Sequence, residues 1–214
     1  MSIFPLLNAS FVGLLFVGLF LWQISLLIPF FLFVVISLMV FVYEGLDSTF
    51  YYESAFWLFV FSEVMIFGSF LTCCLVFDSW SYENLSSSLE IPFVGCFVLL
   101  GSSITVTAFH HLFGWKYCDL FLLFTVILGL CFVYLQVSEM EDIDVNIFDS
   151  SFYASSFCTI GLHFSHVLLG VIGLLTVFLV GSASFGIYRC TVLTWYWHFV
   201  DYVWLIVYTI VYVC

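Results

Sequence analysis

Glu63 stands in the run FWLFVFSEVMIFGSF, ten residues after Glu53 and fifteen before Asp78, the nearest charged side chains on either side. A carboxyl in so long an apolar stretch falls near the middle of a bilayer, where even the lower scales put the cost of a centred charge at about 2.5 kcal/mol. Such a group either handles protons or makes a contact with a partner subunit. The plainer reading is a neutral acid hydrogen-bonded to Ser62 or to a neighbouring helix. His163 and His166, in GLHFSHVLLG, are three residues apart and share one helix face, from which they could meet a common ligand or partner. Haem or copper ligation needs further converging donors, and the other histidines are the adjacent His110 and His111 and the distant His198. Hydrogen-bonded structural histidines are therefore expected. In WYWHFVDYVW, His198 and Asp201 stand at i and i+3, and Trp197, Asp201, Trp204 and Tyr208 form a stripe at helical spacing. Unpaired polar groups are costly in lipid, so this set is expected to join helices. Trp195 and Trp197 suit an interfacial aromatic belt.

Gln136, Ser138, Glu139, Glu141, Asp142 and Asp144 form a carboxylate-rich stretch without the D-x-D-x-D-G order of a calcium loop, and it is read as a polar membrane face. Gly161, Gly170 and Gly173 suit close helix packing.

The elements that position these residues follow from composition. The chain has 214 residues, 65% of them hydrophobic and 7% charged, against roughly 25% charged in a soluble domain. Met1 to Tyr43 contains no Asp, Glu, Lys or Arg, about twice the length that crosses a hydrocarbon core of roughly 30 Å, and it is expected to fold back once. The break is placed at Trp22, Gln23, Ile24 and Ser25 with Pro29 nearby, giving spans near 5 to 22 and 26 to 44. The third span runs from Ser54 to Phe77 and the fourth from Pro92 to near His111. The fifth runs from Leu120 to near Val137, the sixth from Phe152 to Val180, and the seventh from Leu193 to Val213. The runs are continuous rather than alternating, which disfavours a β-barrel. An all-α, polytopic seven-helix membrane protein is expected.

The net charge of −12 comes from having two basic residues, and it excludes nucleic-acid binding. The acids cluster at 44–53, 78–90 and 139–149 and read as solvated loops, with Ser86, Ser87 and Ser88 making one of them flexible. The eight cysteines lack C-x-x-C spacing and mostly lie in apolar runs, where a thiol acts as a small hydrophobe. No basic n-region or A-x-A site opens the chain, so its first run is expected to stay in the protein. Lys116 and Arg189 precede the fifth and seventh spans, which places the N-terminus inside and the C-terminus outside. Phe occurs 29 times, as in an AT-rich organellar gene.

Together, SEVMIF around Glu63, EIPF at Glu90, TVTAFHH ending at His111, YLQVSEMED from Tyr134, GLHFSHVLLG and WYWHFVDYVWLIVY resemble the subunit III family of cytochrome c oxidase, the last motif most specifically. The likeness is weakest over the first fifty residues, where YEGLDSTF from Tyr43 stands in place of the family's basic and polar residues. Glu63 falls on the family's buried helix-three glutamate, His163 and His166 on its paired histidines, and His198, Asp201 and Trp204 on its last-helix motif.

The resemblance implies two helices (1–50) splayed from five (51–214) around a V-shaped cleft filled by phospholipid, with cardiolipin, phosphatidylglycerol or phosphatidylethanolamine as the lipids. It also implies an oxidase subunit of the mitochondrial inner membrane, N-terminus on the matrix side and C-terminus on the intermembrane-space side. Such a subunit binds no haem or copper itself and supports proton uptake and the durability of an aa3-type centre. Its partners would be subunit I, subunit II and accessory subunits, with haem a and copper held in those partners. Glu90, Glu139, His110 and His111 are carried as interface or structural polar residues. Subunit III of a quinol oxidase, an independent transporter, and a haem-binding cytochrome using His163 remain alternatives.

Overall fold

Backbone N–H and C=O groups in lipid must be satisfied within their own segment, and long apolar runs meet that demand as helices. The computed structural model describes residues 53–78 and 85–213, with scattered positions between Val12 and Ser37. The chain divides into two units, Met1–Tyr51 and Tyr52–Cys214. In the first, the backbone is helical at Val12, Gly13, Val17, Gly18 and Phe20 and again at Pro29, Leu32, Phe33, Ile36 and Ser37. The expected break at Trp22, Gln23 and Ile24 and the stretch from Tyr43 to Phe50 lie outside the described residues.

The second unit is helical, with no strand among the described residues. Its elements are α1 (Glu53–Phe77), α2 (Ile91–His111), α3 (Cys118–Asp142), α4 (Ser151–Val180), the short α5 (Ser182–Phe185) and α6 (Ile187–Tyr208), which continues as a π-helical turn, Thr209–Val213. Among the described residues, five helices are long and apolar enough to cross a membrane: α1, α2, α3, α4, and α6 with its extension. They correspond to the third to seventh predicted spans.

Local sequence explains the ends. Pro92 sits in the first turn of α2, where its missing N–H costs nothing. Ser150 caps α4, its hydroxyl accepting from the Tyr153 N–H at 3.1 Å. Gly181 and Gly186 bracket α5 at φ +89° and +90°, a backbone region that side chains with a Cβ resist.

The helix α2 runs antiparallel to α3 and to α6, and α1 antiparallel to α4, as paired contacts show. Thr105 meets Thr125 across α2 and α3. Glu63 meets His166, and Cys74 meets Ser156 and Thr159, across α1 and α4. Against α6, Ser102 pairs with Trp197 and His110 with Thr191. Most of α1 faces outward, with Phe67, Leu71 and Cys74 its buried residues, whereas α4 buries side chains along nearly its whole length.

Several expectations change. The fifth span, α3, runs on to Asp142, because Gln136 and Glu139 turn into the bundle and find partners there, so Glu139 is 2% exposed rather than a solvated loop acid. The seventh, α6, begins at Ile187 directly after the Gly186 turn, its first turns bridged by Thr191 and Thr194 hydroxyls bonded to the Ile187 and Cys190 carbonyls. Trp197 is fully buried, not part of an interfacial belt, since glycines on α3 and α4 leave room for its ring. Gly170 and Gly173 do mark close approaches, to Trp197 and Leu193, but Gly161 has nothing within 4 Å of where a Cβ would stand. The Ser86 to Ser88 stretch is pinned: Ser86 donates to Glu139 at 2.9 Å and the Ser88 carbonyl accepts from Tyr208 at 2.8 Å.

Candidate functional site

Glu63 lies on the third turn of α1 and reaches across to α4, where its Oε2 is 3.0 Å from His166 Nε2. Ser62 plays no part, its hydroxyl donating to the Phe59 carbonyl at 2.7 Å. The other ring nitrogen of His166 is 2.8 Å from the Leu162 carbonyl, one turn back on α4. A carbonyl can only accept, so Nδ1 carries a hydrogen, and the Glu63–His166 contact contains one further proton. That proton is either on the carboxyl, donating to a neutral imidazole, or on Nε2, donating to a carboxylate. The pair is electrically neutral as a whole in both forms, which suits a location where an unpaired charge is expensive. The side chains of His166 and Glu63 are 9% and 14% exposed. Phe67 meets the imidazole edge-on and the Tyr196 hydroxyl donates to the His166 carbonyl at 3.2 Å, so packing and a hydrogen bond both hold this turn.

His163 does not join that pair. It turns toward α6, its Nε2–H donating to the Val200 carbonyl at 3.2 Å, with its ring beside Trp204 (4.8 Å between centroids) and Phe132 (5.7 Å). The two histidines share a helix face by spacing yet serve different neighbours, because α4 is wedged between α1 and α6. They are no joint ligand set, and among the described residues no three His, Cys, Asp or Glu side chains converge as a metal site would require. The seven cysteines among those residues are free thiols.

The family profile of cytochrome c oxidase subunit III matches residues 26–214. The chain belongs to the cytochrome c oxidase subunit III family. Proteins named cytochrome c oxidase subunit 3 are similar to it across distant organisms. The one from Artemia franciscana is 33% identical over 196 residues, covering 79% of this chain and 73% of the relative. That from Rhipicephalus sanguineus is 33% identical over 175 residues, covering 72% and 67%. That from Bacillus sp. (strain PS3) is 32% identical over 172 residues, covering 73% and 83%.

The remaining polar residues of this subunit III chain fall into separate groups. His198 and Asp201 bond neither to each other nor within α6. His198 places Nδ1 2.8 Å from the Ser103 hydroxyl and Nε2 3.3 Å from that of Thr107, both on α2. The Asp201 carboxyl is 2% exposed and closes no hydrogen bond. Glu139 accepts from Gln136 at 2.7 Å and from Ser86 at 2.9 Å. His110 bonds Thr191, while His111 is exposed. Glu90 is exposed at the start of α2, its side chain making no cap bond.

Ser86, Ser103, Thr107 and Thr191 escape sequence reasoning although each partners a residue it singles out. A signal for two of them existed: Ser103, Thr107 and His110 recur at spacings of four and three, one polar stripe along α2.

Proposed function

We propose that this chain is the non-redox subunit III of an aa3-type cytochrome c oxidase in the mitochondrial inner membrane. It sustains proton uptake and the working life of the oxygen-reducing centre, and so supports electron transfer from cytochrome c to oxygen and coupled proton pumping. The observation that carries this reading is the Glu63–His166 pair, a neutral, one-proton unit at bilayer depth in a member of the subunit III family. Within such a pair the proton can pass between carboxyl and imidazole without any change of net charge, because either partner can hold it.

The reading extends to seven spans, two before residue 50 and five after it, with the N-terminus on the matrix side and the C-terminus on the intermembrane-space side. Lys116 and Arg189 support that orientation, since they stand at one end of the bundle, where the α2–α3 turn and the start of α6 meet. Subunit I is the principal partner, with subunit II and accessory subunits beyond it. Haem a and copper are assigned to those partners, and phospholipids such as cardiolipin, phosphatidylglycerol or phosphatidylethanolamine to this chain. The abundance of Phe favours an organellar gene.

The test is Glu63→Gln in the assembled oxidase. A glutamine amide donates to a neutral His166 and keeps the contact while removing the exchangeable carboxyl proton. Slower proton uptake and faster inactivation during turnover are expected, with haem content unchanged. Parental behaviour in both measurements would sink the proposal.

A further inference from the structure

The loop from Ile143 to Ser150, between α3 and α4, sends its apolar side chains in two directions. Ile143 and Val145 pack against the core of the bundle. Ile147 and Phe148 point away from it, and Phe148, at 95%, is the most exposed large apolar side chain among the described residues. Its position is fixed by local bonds. The Asp149 N–H donates to the Asn146 carbonyl at 3.1 Å while the Asn146 N–H donates to Asp149 Oδ2 at 2.6 Å, so the turn that carries Phe148 is closed from both sides. Ser150 caps α4 directly after it. An aromatic tip already held in place gives up little freedom when a partner covers it. Four exposed carboxyls, Glu141, Asp142, Asp144 and Asp149, flank the tip in the chain. The chain's two basic residues stand at the other end of the bundle, Lys116 just before α3 and Arg189 in the first turn of α6. The last turn of α6 lies at the Phe148 end, because Tyr208 bonds Ser88 and Ser86 of the same segment bonds Glu139 near the end of α3.

We propose that Phe148 is the anchor of a docking surface for another protein, seated in an apolar pocket of that partner edged by basic side chains, lysine among them. The charges choose this occupant. Taking Phe148 into a bilayer would draw the adjacent Asp149 toward hydrocarbon, where a carboxylate is costly. A second copy of this chain would bring the same four carboxyls to the contact, and like charges there oppose docking. Residues 1–51 contain no Lys or Arg to answer them. A partner with basic groups around an apolar pocket satisfies both halves of the surface, the aromatic ring at its centre and the acidic rim. The anchor stands at the end of the bundle and is independent of the Glu63–His166 pair at bilayer depth.

Native membranes carrying the full chain test the proposal. A water-soluble carbodiimide joins a carboxylate to a lysine amine in contact with it, and the complex is then purified through this chain for peptide mapping. Links from Glu141, Asp142, Asp144 or Asp149 to lysines of one other polypeptide are expected. Phe148→Ala should lower their yield on the order of tenfold at raised ionic strength, as loss of an aromatic hot spot weakens an interface while salt screens the rim. Phe148→Tyr, which keeps the ring, should retain most of it. Phe148 is almost wholly exposed, so these variants leave the fold of this chain intact. Absence of links to another polypeptide, or links only to Lys116 of a second copy, overturns the proposal. Equal yields in Phe148→Ala and the parent overturn the role of Phe148 as anchor, and labelling of Phe148 by a photoactivatable phospholipid in the same membranes places the tip in the bilayer and overturns the protein partner.

Discussion

Trp197 donates its indole N–H to the Ser102 hydroxyl at 2.9 Å, and Ser102 passes its own hydrogen to the Leu99 carbonyl at 2.7 Å. The ring lies in a slot between Gly129 of α3 and Gly170 of α4; a Cβ at either glycine would come within 2.9 and 2.8 Å of it. One side chain thus fastens α6 to three other helices.

That slot makes the first prediction. Gly170→Ala forces the ring to move in a packed core and should cost about 1–3 kcal/mol. Trp197→Ala removes the wedge and should cost about 3–5 kcal/mol. The temperature at which the purified complex loses this subunit measures both, with Trp197→Ala the lower. Unchanged temperatures would show that the slot is not a stabilising contact.

The slot also shows where sequence reading succeeds and where it stops. Uncharged runs located α1, α2 and α4 closely, since lipid imposes the length of a span. The stripe of Trp197, Asp201, Trp204 and Tyr208 correctly marked the face that α6 turns inward. What periodicity could not supply was the neighbour. Trp197 reads equally well as a belt residue until Gly129 and Gly170 are brought beside it. Glu139 reads as a loop acid until Ser86, 53 residues away in the chain, donates to it. His163 and His166 share a face, and only the packing of α4 against both α1 and α6 parts their destinies.

Pairing of Glu63 with His166 predicts energetic coupling. His166→Ala leaves Glu63 without its partner and should destabilise by about 1–3 kcal/mol, the cost of an unsatisfied buried group. Glu63→Gln should cost less, because the amide still donates to Nε2. In the double variant the costs should fall short of their sum, by about 0.5–3 kcal/mol for residues in contact. Strict additivity in thermal denaturation of the complex would show that the two side chains do not interact.

Glu139 holds down the segment that leads into α2, through Ser86 and beside Gln136. Glu139→Ala removes the acceptor for two donors, leaving Gln136 buried and unpaired at about 1–3 kcal/mol. The local consequence is faster amide hydrogen exchange from Leu85 to Glu90, with α4 unaffected. Ser86→Ala should reproduce the loosening at smaller amplitude, because Gln136 keeps its partner. Equal protection in the parent and Glu139→Ala would show that the contact does not hold the segment.

Two kinds of glycine separate backbone strain from packing. Gly186 has open space around its Cβ direction but sits at φ +90°, between α5 and α6. Gly161 is equally open and lies within the regular turns of α4. An alanine at 186 must adopt φ +90° and ψ +142°, a region open essentially to glycine alone, at a cost of about 1–3 kcal/mol, whereas alanine at 161 gains up to about 1 kcal/mol of helix propensity. Gly186→Ala should therefore lower the thermal stability of the complex while Gly161→Ala leaves it equal or raised. The strain falls where α6 begins, so Gly186→Ala should also increase hydrogen exchange from Ile187 to Cys190, ahead of any change near Trp197. If both variants behaved alike, the turn between α4 and α6 would not need its positive φ.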